Sequence, residues 1–400
     1  MIRRNLKHFR VFLAVVDLGT PTQAAARCNL SQPAVTQALR RIEDEAGGPL
    51  FTRTQNGFFL TDRGAVYEAR IRRAMNRLDA ALAEVAPRLV SAASMAQIRI
   101  LIAMSEAKNF TLAARSLGLA QPTVHRAITQ LELAANRRLF ERTPIGMAPT
   151  RQCIALARAA RLAFAEFDQA DSELADADGR DAGRIVIGSL PLSRSVVLPR
   201  TLARFRNLRP TQRITVVDGP YPEMLAGLRR GDIDAIVGAL RDPVPVSDIV
   251  QERLFSDRVI LVARPGHPLA QKGAVQVSDL ADYGWVVPAS GTPSRQQFDD
   301  LFQRMGLPYP DSVIECGSIL LMRELLQRSD LLGCISGHQA EAEIANKLIV
   351  KLKTSIAWPD RPIGLSYRRD WNPTRSQSLF LNILRDVAAA GETPALTGSV

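Results

Sequence analysis

Cysteine, histidine and long apolar stretches are scarce in this 400-residue chain, and each shortage excludes a class of protein. The chain's cysteines are far apart, so they predict free thiols rather than a disulfide framework or a zinc site; they are Cys28, Cys153, Cys316 and Cys334. The four histidines are equally dispersed, and no arrangement of nucleophile, base and acid follows from their positions. We therefore expect no enzyme activity, no metal and no cofactor.

Membrane and export signals are also missing. No window contains the roughly 18 consecutive apolar residues that a membrane helix requires. The basic start, residues 1–10, continues into a short apolar patch without a small-residue cleavage site, which predicts no signal peptide. We expect a cytoplasmic protein without a membrane partner, and a chain of this length predicts about two or three domains.

Positive charge is in excess, and it is concentrated at one end of the chain. The formal net charge is +11, which favours a polyanionic partner. Residues 1–90 contain 14 lysines and arginines against 8 acidic residues, whereas the counts are 11 against 9 in residues 91–180 and 26 against 23 in the remainder. A nucleic-acid interface is therefore expected near the N-terminus.

An internal repeat occupies this basic end. Pro33 recurs as Pro122, 89 positions later, and the same offset relates residues 24–61 to residues 113–150 without a gap. A repeat present in two copies is too short for a solenoid, so each copy predicts a small domain. The residues shared at this offset include Ala24, Leu30, Gln32, Leu50, Phe51, Arg53, Gly57 and Thr61, which recur as Ala113, Leu119, Gln121, Leu139, Phe140, Arg142, Gly146 and Thr150.

Each copy predicts three helices followed by a hairpin. In the first copy, Thr20 or Thr22 caps the second helix, and Ser31 caps a third helix that has Pro33 in its first turn. Apolar residues at helical spacing give the third helix a buried stripe and leave its other face to solvent. The buried stripe is Val35, Leu39 and Ile42, and the exposed face is Ala34, Thr36, Gln37, Arg40 and Arg41.

The hairpin is predicted from two short extended runs, residues 51–54 and 57–60, around a Gln55-Asn56-Gly57 turn. Arg53 lies at the base of this wing, where a cation reaches phosphate or a narrow minor groove. Small polar and basic side chains on the third helix suit base edges and phosphates. The repeat therefore predicts two winged helix-turn-helix units, with a small helical domain without DNA contact as the alternative.

Residues 24–61 resemble the DNA-binding domain of LysR-type transcriptional regulators. The resemblance rests on an ordered pattern of Ala-Ala, Ser-Gln-Pro-Ala-Val-Thr, Leu-Phe-x-Arg-Thr, Gly and Leu-Thr. It implies that Gln32, Pro33, Thr36, Gln37 and Arg40 are recognition-helix contacts and that Arg53 is the wing contact. With the capping Ser31 and the neighbouring Ala34, they form the predicted DNA interface of the first copy.

The second copy departs from this pattern on its exposed face. Ala120 stands where Ser31 caps the first copy, and the exposed residues Ala34, Thr36, Gln37 and Arg40 are replaced by Thr123, His125, Arg126 and Thr129. Arg142 retains the wing position. We expect this copy to contact DNA through Gln121, Pro122, Thr123, His125, Arg126 and Arg142; the alternative is a structural relic that serves only dimerisation.

A long amphipathic helix is predicted after each wing, over about residues 63–85 and 151–175. The apolar stripe of the second helix is assigned to Ile154, Leu162, Phe167 and Leu174. In the resembled family this linker helix pairs two subunits antiparallel. Here we hypothesise that the two linker helices of one chain pack on each other as a pseudo-dimer; symmetric packing between separate chains is the alternative.

The second half of the chain alternates short apolar strands with helical stretches, which predicts an α/β fold with a largely parallel sheet. From Gly183 to about Val387 it resembles the effector-binding domain of the same family, of the two-lobed periplasmic-binding-protein type. The runs that carry the resemblance are residues 231–238 and 264–269. It is most similar to a branch of sugar and aromatic-acid regulators.

The predicted fold class is multidomain: two all-α winged helix-turn-helix domains with long linker helices, followed by an α/β two-lobed effector domain. The predicted domains are residues 1–90, 91–180 and 181–400. The lobes of the last are placed at about 184–262 with 341–387, and at 263–340, after a polar hinge at 176–183.

Three loops at predicted strand ends suit a small polar ligand, because helix N-termini offer free N–H groups and a positive dipole end. The first two loops follow the strands that end near residues 188 and 287, and the third precedes the helix that starts near residue 319. Arg194, Arg295 and His338 are the candidate anchors. The full set of predicted effector contacts is Ser189, Leu190, Ser193, Arg194, Ser290, Thr292, Arg295, Ser318 and His338.

These observations predict a sequence-specific DNA-binding transcription regulator that is switched by a small-molecule effector, a carboxylate or a sugar-like metabolite. Double-stranded DNA and the effector are the expected partners. We also expect a homo-oligomer, a dimer or a tetramer, and RNA polymerase is a further candidate partner. A transport-type solute-binding protein and an enzyme on an α/β lobe are the competing functions.

Overall fold

The computed structural model describes residues 4–55, 57–144 and 146–392 of the chain. The chain forms two compact units, Met1–Gly183 and Arg184–Val400. Asn56, assigned above to the first wing turn, lies outside the described residues. Within those residues, no helix combines the length and the apolar character needed to cross a bilayer.

The first unit contains both copies of the repeat, and each copy folds as three helices, a hairpin and a long helix. The first copy comprises α1 (Leu6–Leu18), α2 (Pro21–Cys28), α3 (Gln32–Ala46), β1 (Phe51–Thr54), β2 (Gly57–Leu60) and α4 (Asp62–Val85). After α5 (Pro87–Ala92), the second copy comprises α6 (Met95–Ala107), α7 (Phe110–Leu117), α8 (Gln121–Ala135), β3 (Phe140–Thr143), β4 (Gly146–Pro149) and α9 (Arg151–Ala177). Every element before the long helix repeats at the offset read from the sequence.

Local side-chain chemistry explains where these helices begin. The Thr20 hydroxyl accepts a hydrogen bond from Gln23 N and caps α2, whereas the Ser31 hydroxyl accepts from Ala34 N and caps α3. Thr61 caps α4 in the same way and donates to Pro49 O at 3.0 Å. The predicted capping role of Ser31 is confirmed, and of the two candidates for α2 the structure selects Thr20.

The two linker helices of one chain pack on each other, as hypothesised. They run antiparallel, because Arg63 near the start of α4 pairs with Asp178 just beyond the end of α9 at 2.6 Å, and Arg73 lies 3.4 Å from Glu166. One apolar core continues through both copies. The apolar stripe of α9 was predicted wrongly at one position: Ile154 is 53% exposed and lies outside the apolar core.

The second unit consists of two lobes, each built on a five-stranded sheet. The first lobe has the strand order β6-β5-β7-β14-β8, and α10 and α16 pack together through Phe205 and Phe380. Its elements are β5 (Arg184–Ser189), a 3-10 turn (Pro191–Arg194), α10 (Val197–Leu208), β6 (Arg213–Asp218), α11 (Tyr221–Arg230), β7 (Ala235–Ala239), β8 (Ile249–Asp257), β14 (Arg361–Arg368) and α16 (Arg375–Glu392).

The second lobe has the strand order β11-β10-β12-β9-β13 around the buried Trp285. Its elements are β9 (Val259–Ala263), α12 (Pro268–Gln271), a 3-10 turn (Val277–Leu280), β10 (Trp285–Val287), α13 (Pro293–Met305), β11 (Val313–Glu315), α14 (Ile319–Gln327), β12 (Leu332–Ser336), α15 (Gly337–Ala345) and β13 (Val350–Lys351).

Two expectations for this half need correction. The sheets are mixed rather than largely parallel, because β9, β13, β8 and β14 pair antiparallel with their neighbours. The chain changes lobes at Arg258 and again just before Arg361, not at residues 262 and 341, since β9 and β13 pair within the second sheet. The division of the first unit at residue 90 stays a prediction.

Candidate functional site

The third helix of the first copy, α3, separates its side chains as the sequence predicts. Val35, Leu39 and Ile42 are buried in the core, whereas Ser31, Gln32, Pro33, Gln37 and Arg40 are exposed, and Ala34 and Thr36 are half-buried on the same outer face. The helix thus presents polar and basic groups on a surface that its apolar stripe holds in place. This arrangement fits insertion into a major groove.

Glu43 fixes the wing to the third helix. One oxygen of its carboxylate accepts hydrogen bonds from Leu50 N at 3.0 Å and Phe51 N at 3.3 Å, and the other accepts from Arg53 at 2.9 Å. The Arg53 guanidinium also lies 5.5 Å from the centre of the Phe58 ring. The wing arginine is therefore held beside the third helix but remains 47% exposed, where it can reach a phosphate.

The second copy repeats this geometry without the first copy's cap. Glu132 accepts from Leu139 N at 2.7 Å and from Phe140 N at 3.1 Å, as its counterpart does. Among the described residues no side chain caps α8, because the side chain of Ala120 has no acceptor. The exposed face consists of Gln121, Pro122, Thr123, His125 and Arg126, and the wing position is held by the exposed Arg142.

A basic groove of about 1020 Å³ lies between α8 and the wing of the second copy. Arg137, Arg138 and Arg142 line it together with His125, whose ring packs 5.1 Å from Phe110. In the part of the chain that the structure describes, Arg142 makes no ion pair of the kind that Arg53 makes. Glu132 also lines the groove, so three arginines stand beside one carboxylate there, and this excess of positive charge next to the third helix suits a phosphate backbone.

The first predicted ligand loop, residues 189–194, is closed on itself. The hydroxyl oxygens of Ser189 and Ser193 lie 3.1 Å apart, Ser193 donates to Leu190 O at 2.8 Å, and all three residues are buried. Arg194 is 40% exposed and pairs with Asp218 at 2.9 Å. The loop is at the expected strand end, but its serine hydroxyls are engaged with the protein.

The second predicted loop is held by carboxylates of its own lobe. Ser290 donates to Glu315 through its backbone N at 2.8 Å and its hydroxyl at 2.7 Å, and Arg295 pairs with Glu315 and Asp299 at 3.0 and 2.8 Å. Hydrogen bonds from Ser290 hold the pKa of Glu315 below its ordinary range. Thr292 and Ser318 cap α13 and α14, as their sequence context suggests.

His338 belongs to an ion network where the two lobes join. Its Nδ1 lies 3.0 Å from the buried Asp257, which also pairs with Arg361, while Arg361 bonds Ser294 of the other lobe. The hydrogen bond to Asp257 raises the pKa of His338. The three anchors predicted from sequence, Arg194, Arg295 and His338, are thus each paired with a carboxylate.

Arg241, which the sequence analysis missed, differs from those three. It follows β7, and because β5 and β7 are parallel neighbours, it lies at the same sheet edge as the loop at 189–194. Its guanidinium stacks 4.5 Å from the centre of the Tyr221 ring, and no carboxylate pairs with it among the described residues. Burial lowers the pKa of Arg241, and the charge of Arg361 lowers it further. Its position after the Gly231–Gly238 run was the available sequence signal.

Two family models match different parts of the chain. The model described as bacterial regulatory helix-turn-helix protein, lysR family, matches twice, at residues 6–65 and 95–153. The model described as LysR substrate binding domain matches residues 178–389. The duplicated DNA-binding unit and the effector-binding unit are therefore both recognised as parts of one family.

Individual relatives lead to the same family. The HTH-type transcriptional regulator GalR of Pseudomonas putida is 33% identical over 372 residues, which are 91% of this chain and 92% of GalR. The regulator PcaQ of Agrobacterium fabrum is 26% identical over 295 residues, 74% of this chain and 94% of PcaQ. A solved full-length OxyR variant from Pseudomonas aeruginosa shares the fold, with a TM-score of 0.52 and 18% identity over 73% of this chain and 93% of that chain. The chain belongs to the LysR family of transcriptional regulators, with helix-turn-helix units followed by a two-lobed effector-binding domain.

Proposed function

We propose that this regulator contacts duplex DNA with both winged units of one chain. The observation that carries the proposal is the exposure of polar and basic side chains on both third helices, α3 and α8, while their apolar residues are buried in one shared core. Arg40 and Arg53 represent the helix and wing contacts of the first unit, and Arg126 and Arg142 those of the second. Because DNA is the partner, we place the protein in the cytoplasm.

Salt-dependent binding tests both units separately. We would recover the bound promoter fragments, then measure the affinity of the full chain and of R40A, R53A, R126A and R142A for one such duplex. Loss of one phosphate contact flattens the slope of log K against log salt by about 0.9. Arg200→Ala is the control, because Arg200 is exposed in the other unit.

The variants of the two winged copies give different outcomes if only one copy contacts DNA. Loss of affinity in R40A and R53A with none in R126A and R142A would establish the second winged copy as a structural relic. Unchanged slopes in all four variants would remove the proposal altogether, while a change in R200A would show that the assay responds to net charge alone.

For the effector-binding unit, Arg184–Val400, we propose an anionic effector, a carboxylate, bound where its two lobes join. Arg241 supports this class, because a half-buried guanidinium beside Arg361 is stabilised by a bound anion. The family relatives are transcriptional regulators, so we propose that the ligand is bound without being converted. We further propose a homo-oligomeric regulator, a dimer or tetramer that works with RNA polymerase.

A thermal-shift screen distinguishes the two ligand classes predicted from the sequence. Aliphatic and aromatic carboxylates should raise the unfolding temperature of the second unit, whereas uncharged sugars should not. Arg241→Gln should abolish the shift, and Arg204→Gln, at an exposed position on α10, should retain it. A sugar that shifts the protein and its R241Q variant equally would refute the anionic class.

A further inference from the structure

A buried ion cluster joins the two linker helices. Arg70 of α4 is 1% exposed, and its guanidinium bonds Glu173 at 2.8 and 3.1 Å, Glu166 at 3.0 Å and Gln169 at 2.7 Å, all on α9. We call these four residues the Arg70 cluster. Burial alone lowers the pKa of an arginine, but Glu173 and Glu166 raise the pKa of Arg70, so the charge is retained.

The Arg70 cluster is not repeated at the other end of the helix pair. At the offset of the repeat, the counterpart of Arg70 is Ala159, and the counterpart of Glu166 is Arg77. Only Glu173 has a counterpart of the same charge, Glu84. The two linker helices are therefore similar in their apolar residues but different in their buried charges.

A pair of identical α4 helices would concentrate positive charge. In the observed pair, Arg70 and Arg73 face Glu166 and Glu173, and the charges cancel. In an antiparallel pair of two α4 helices with the same geometry, each end would hold Arg70, Arg73 and Arg77 with Glu84 alone to balance them. A buried charge that has lost its partner is strongly destabilising, and Arg70 is 1% exposed.

A pair of identical α9 helices would instead concentrate negative charge. The counterparts of Arg70 and Arg73 on α9 are Ala159 and Leu162, so neither position that takes the place of Arg70 and Arg73 opposite Glu166 and Glu173 would carry an arginine. Glu166 is 4% exposed in the observed pair and would keep little water to compensate. Of the three pairings of these helices, only α4 with α9 neutralises its buried charges.

We propose that the Arg70 cluster dictates which helices pair, so that α4 takes α9, which in the structure is the α9 of its own chain, and rejects the α4 of a second copy. Charge patterns that favour one partner and penalise another are the usual source of pairing specificity between helices. The surface that joins subunits in the resembled family is thereby occupied within one chain. A homo-oligomer of this protein must assemble through other surfaces.

Disulfide trapping in the full chain tests this pairing. The ion pairs between α4 and α9 place residue 75 level with residues 164–165 along the helix axes, whereas in a pair of two α4 helices with the same register residue 75 would be level with its own copy. Met75→Cys is introduced after the half-buried Cys28 and Cys316 are changed to serine. Mild oxidation should leave the M75C chain without an intermolecular disulfide, and M75C/A165C should form one that migrates as a monomer.

Exchanging the charges of Arg77 and Glu166, which are counterparts in the repeat, should change the preferred partner of α4 from α9 to a second α4. Arg77→Glu with Glu166→Arg keeps the net charge but makes two α4 helices compatible and α4 with α9 incompatible. In the M75C background this exchange should raise the disulfide-linked dimer by about tenfold or more. The matched control exchanges Glu106 and Arg161, an ion pair between α6 and α9 outside the Arg70 cluster, and should not raise it.

Each arm has an outcome that overturns the proposal. A linked dimer of M75C with the Arg70 cluster intact would show that α4 pairs between chains. A dimer of M75C/A165C would show that α4 takes the α9 of another chain, and this arm decides the matter even if the exchanged variant does not fold. The trap reports helix pairing rather than DNA binding, so its failure leaves the DNA-binding proposal, tested by salt dependence, in place.

Discussion

Truncation of Arg70 should severely destabilise the first unit. Arg70→Ala removes the hydrogen bonds that Arg70 donates to Glu166, Gln169 and Glu173, and it leaves the carboxylate of Glu166, 5% exposed as a side chain, buried beside Glu173 with the longer 3.4 Å contact to Arg73. Breaking a buried pair by removing one partner costs about 3–5 kcal/mol. For a unit of this size, that corresponds to a fall of roughly 6–20 °C in the unfolding temperature.

The positions of the tryptophans make this prediction easy to measure. All three, Trp285, Trp358 and Trp371, belong to the second unit, whereas the first unit is mostly helical. In urea or heat, circular dichroism at the helix band follows both units, and tryptophan fluorescence follows the second unit alone. Arg70→Ala should shift the helical transition and leave the fluorescence transition in place.

Two further variants test whether the destabilisation comes from the buried charges of the Arg70 cluster or from truncating any arginine on α4. Arg72→Ala on the same helix removes exposed ion pairs with Asp17 and Glu68, which should cost about 0–1 kcal/mol. Replacing Arg70, Glu166 and Glu173 together by methionine should recover most of the loss, because an apolar substitute for a buried ion cluster is often neutral. The reasoning is refuted if Arg70→Ala costs no more than Arg72→Ala.

Three smaller predictions concern single positions. Ala120→Ser should stabilise the first unit by about 1 kcal/mol in urea, since it supplies the cap that α8 lacks; no change would mean that the hydroxyl does not reach the backbone N–H groups. Because the folded pKa of His338 is raised above its ordinary 6.5, its contribution to stability is complete below pH 6.5 and is lost as pH rises through the folded pKa; fluorescence-monitored unfolding should show this loss, and His338→Gln should remove it. If the variant keeps the same pH dependence, another group is responsible. Gly64→Ala should be strongly destabilising, because its Cβ would stand 2.0 Å from Leu50 O, whereas Gly118→Ser meets no atom within 4 Å and suffers only the strain of its φ of +64°; equal helical transitions in the two variants would contradict this.

The sequence predicted the first unit in detail because its signals are local and occur twice. Ser31 caps a helix through atoms within three residues, and the offset of the repeat transfers each such inference to the second copy. The misassigned position, Ile154, is apolar but lies where the helix faces outward, and periodicity alone does not distinguish such a residue from its buried neighbours.

The second unit was less predictable, because its features depend on contacts between distant segments. The strand Ile249–Asp257 carries charged residues and has no clean alternation, so its pairing with Arg361–Arg368 is visible only in the folded chain. For Arg194, Arg295 and His338, the carboxylate partners are separated in sequence or unmarked by any motif. Arg241 was not predicted for the same reason, since what distinguishes it is that no carboxylate of the described residues pairs with it.

Carrying two winged units on one polypeptide has a consequence for how their specificity can change. In a symmetric dimer, one codon sets the same residue on both recognition helices, so both arms of the binding sequence must change together. Here Thr36 and His125 occupy equivalent places but are encoded separately, and each can be altered while the other stays constant. With both winged units on DNA, as proposed above, such a chain is suited to binding sequences with two unequal arms, which a palindrome-reading dimer disfavours.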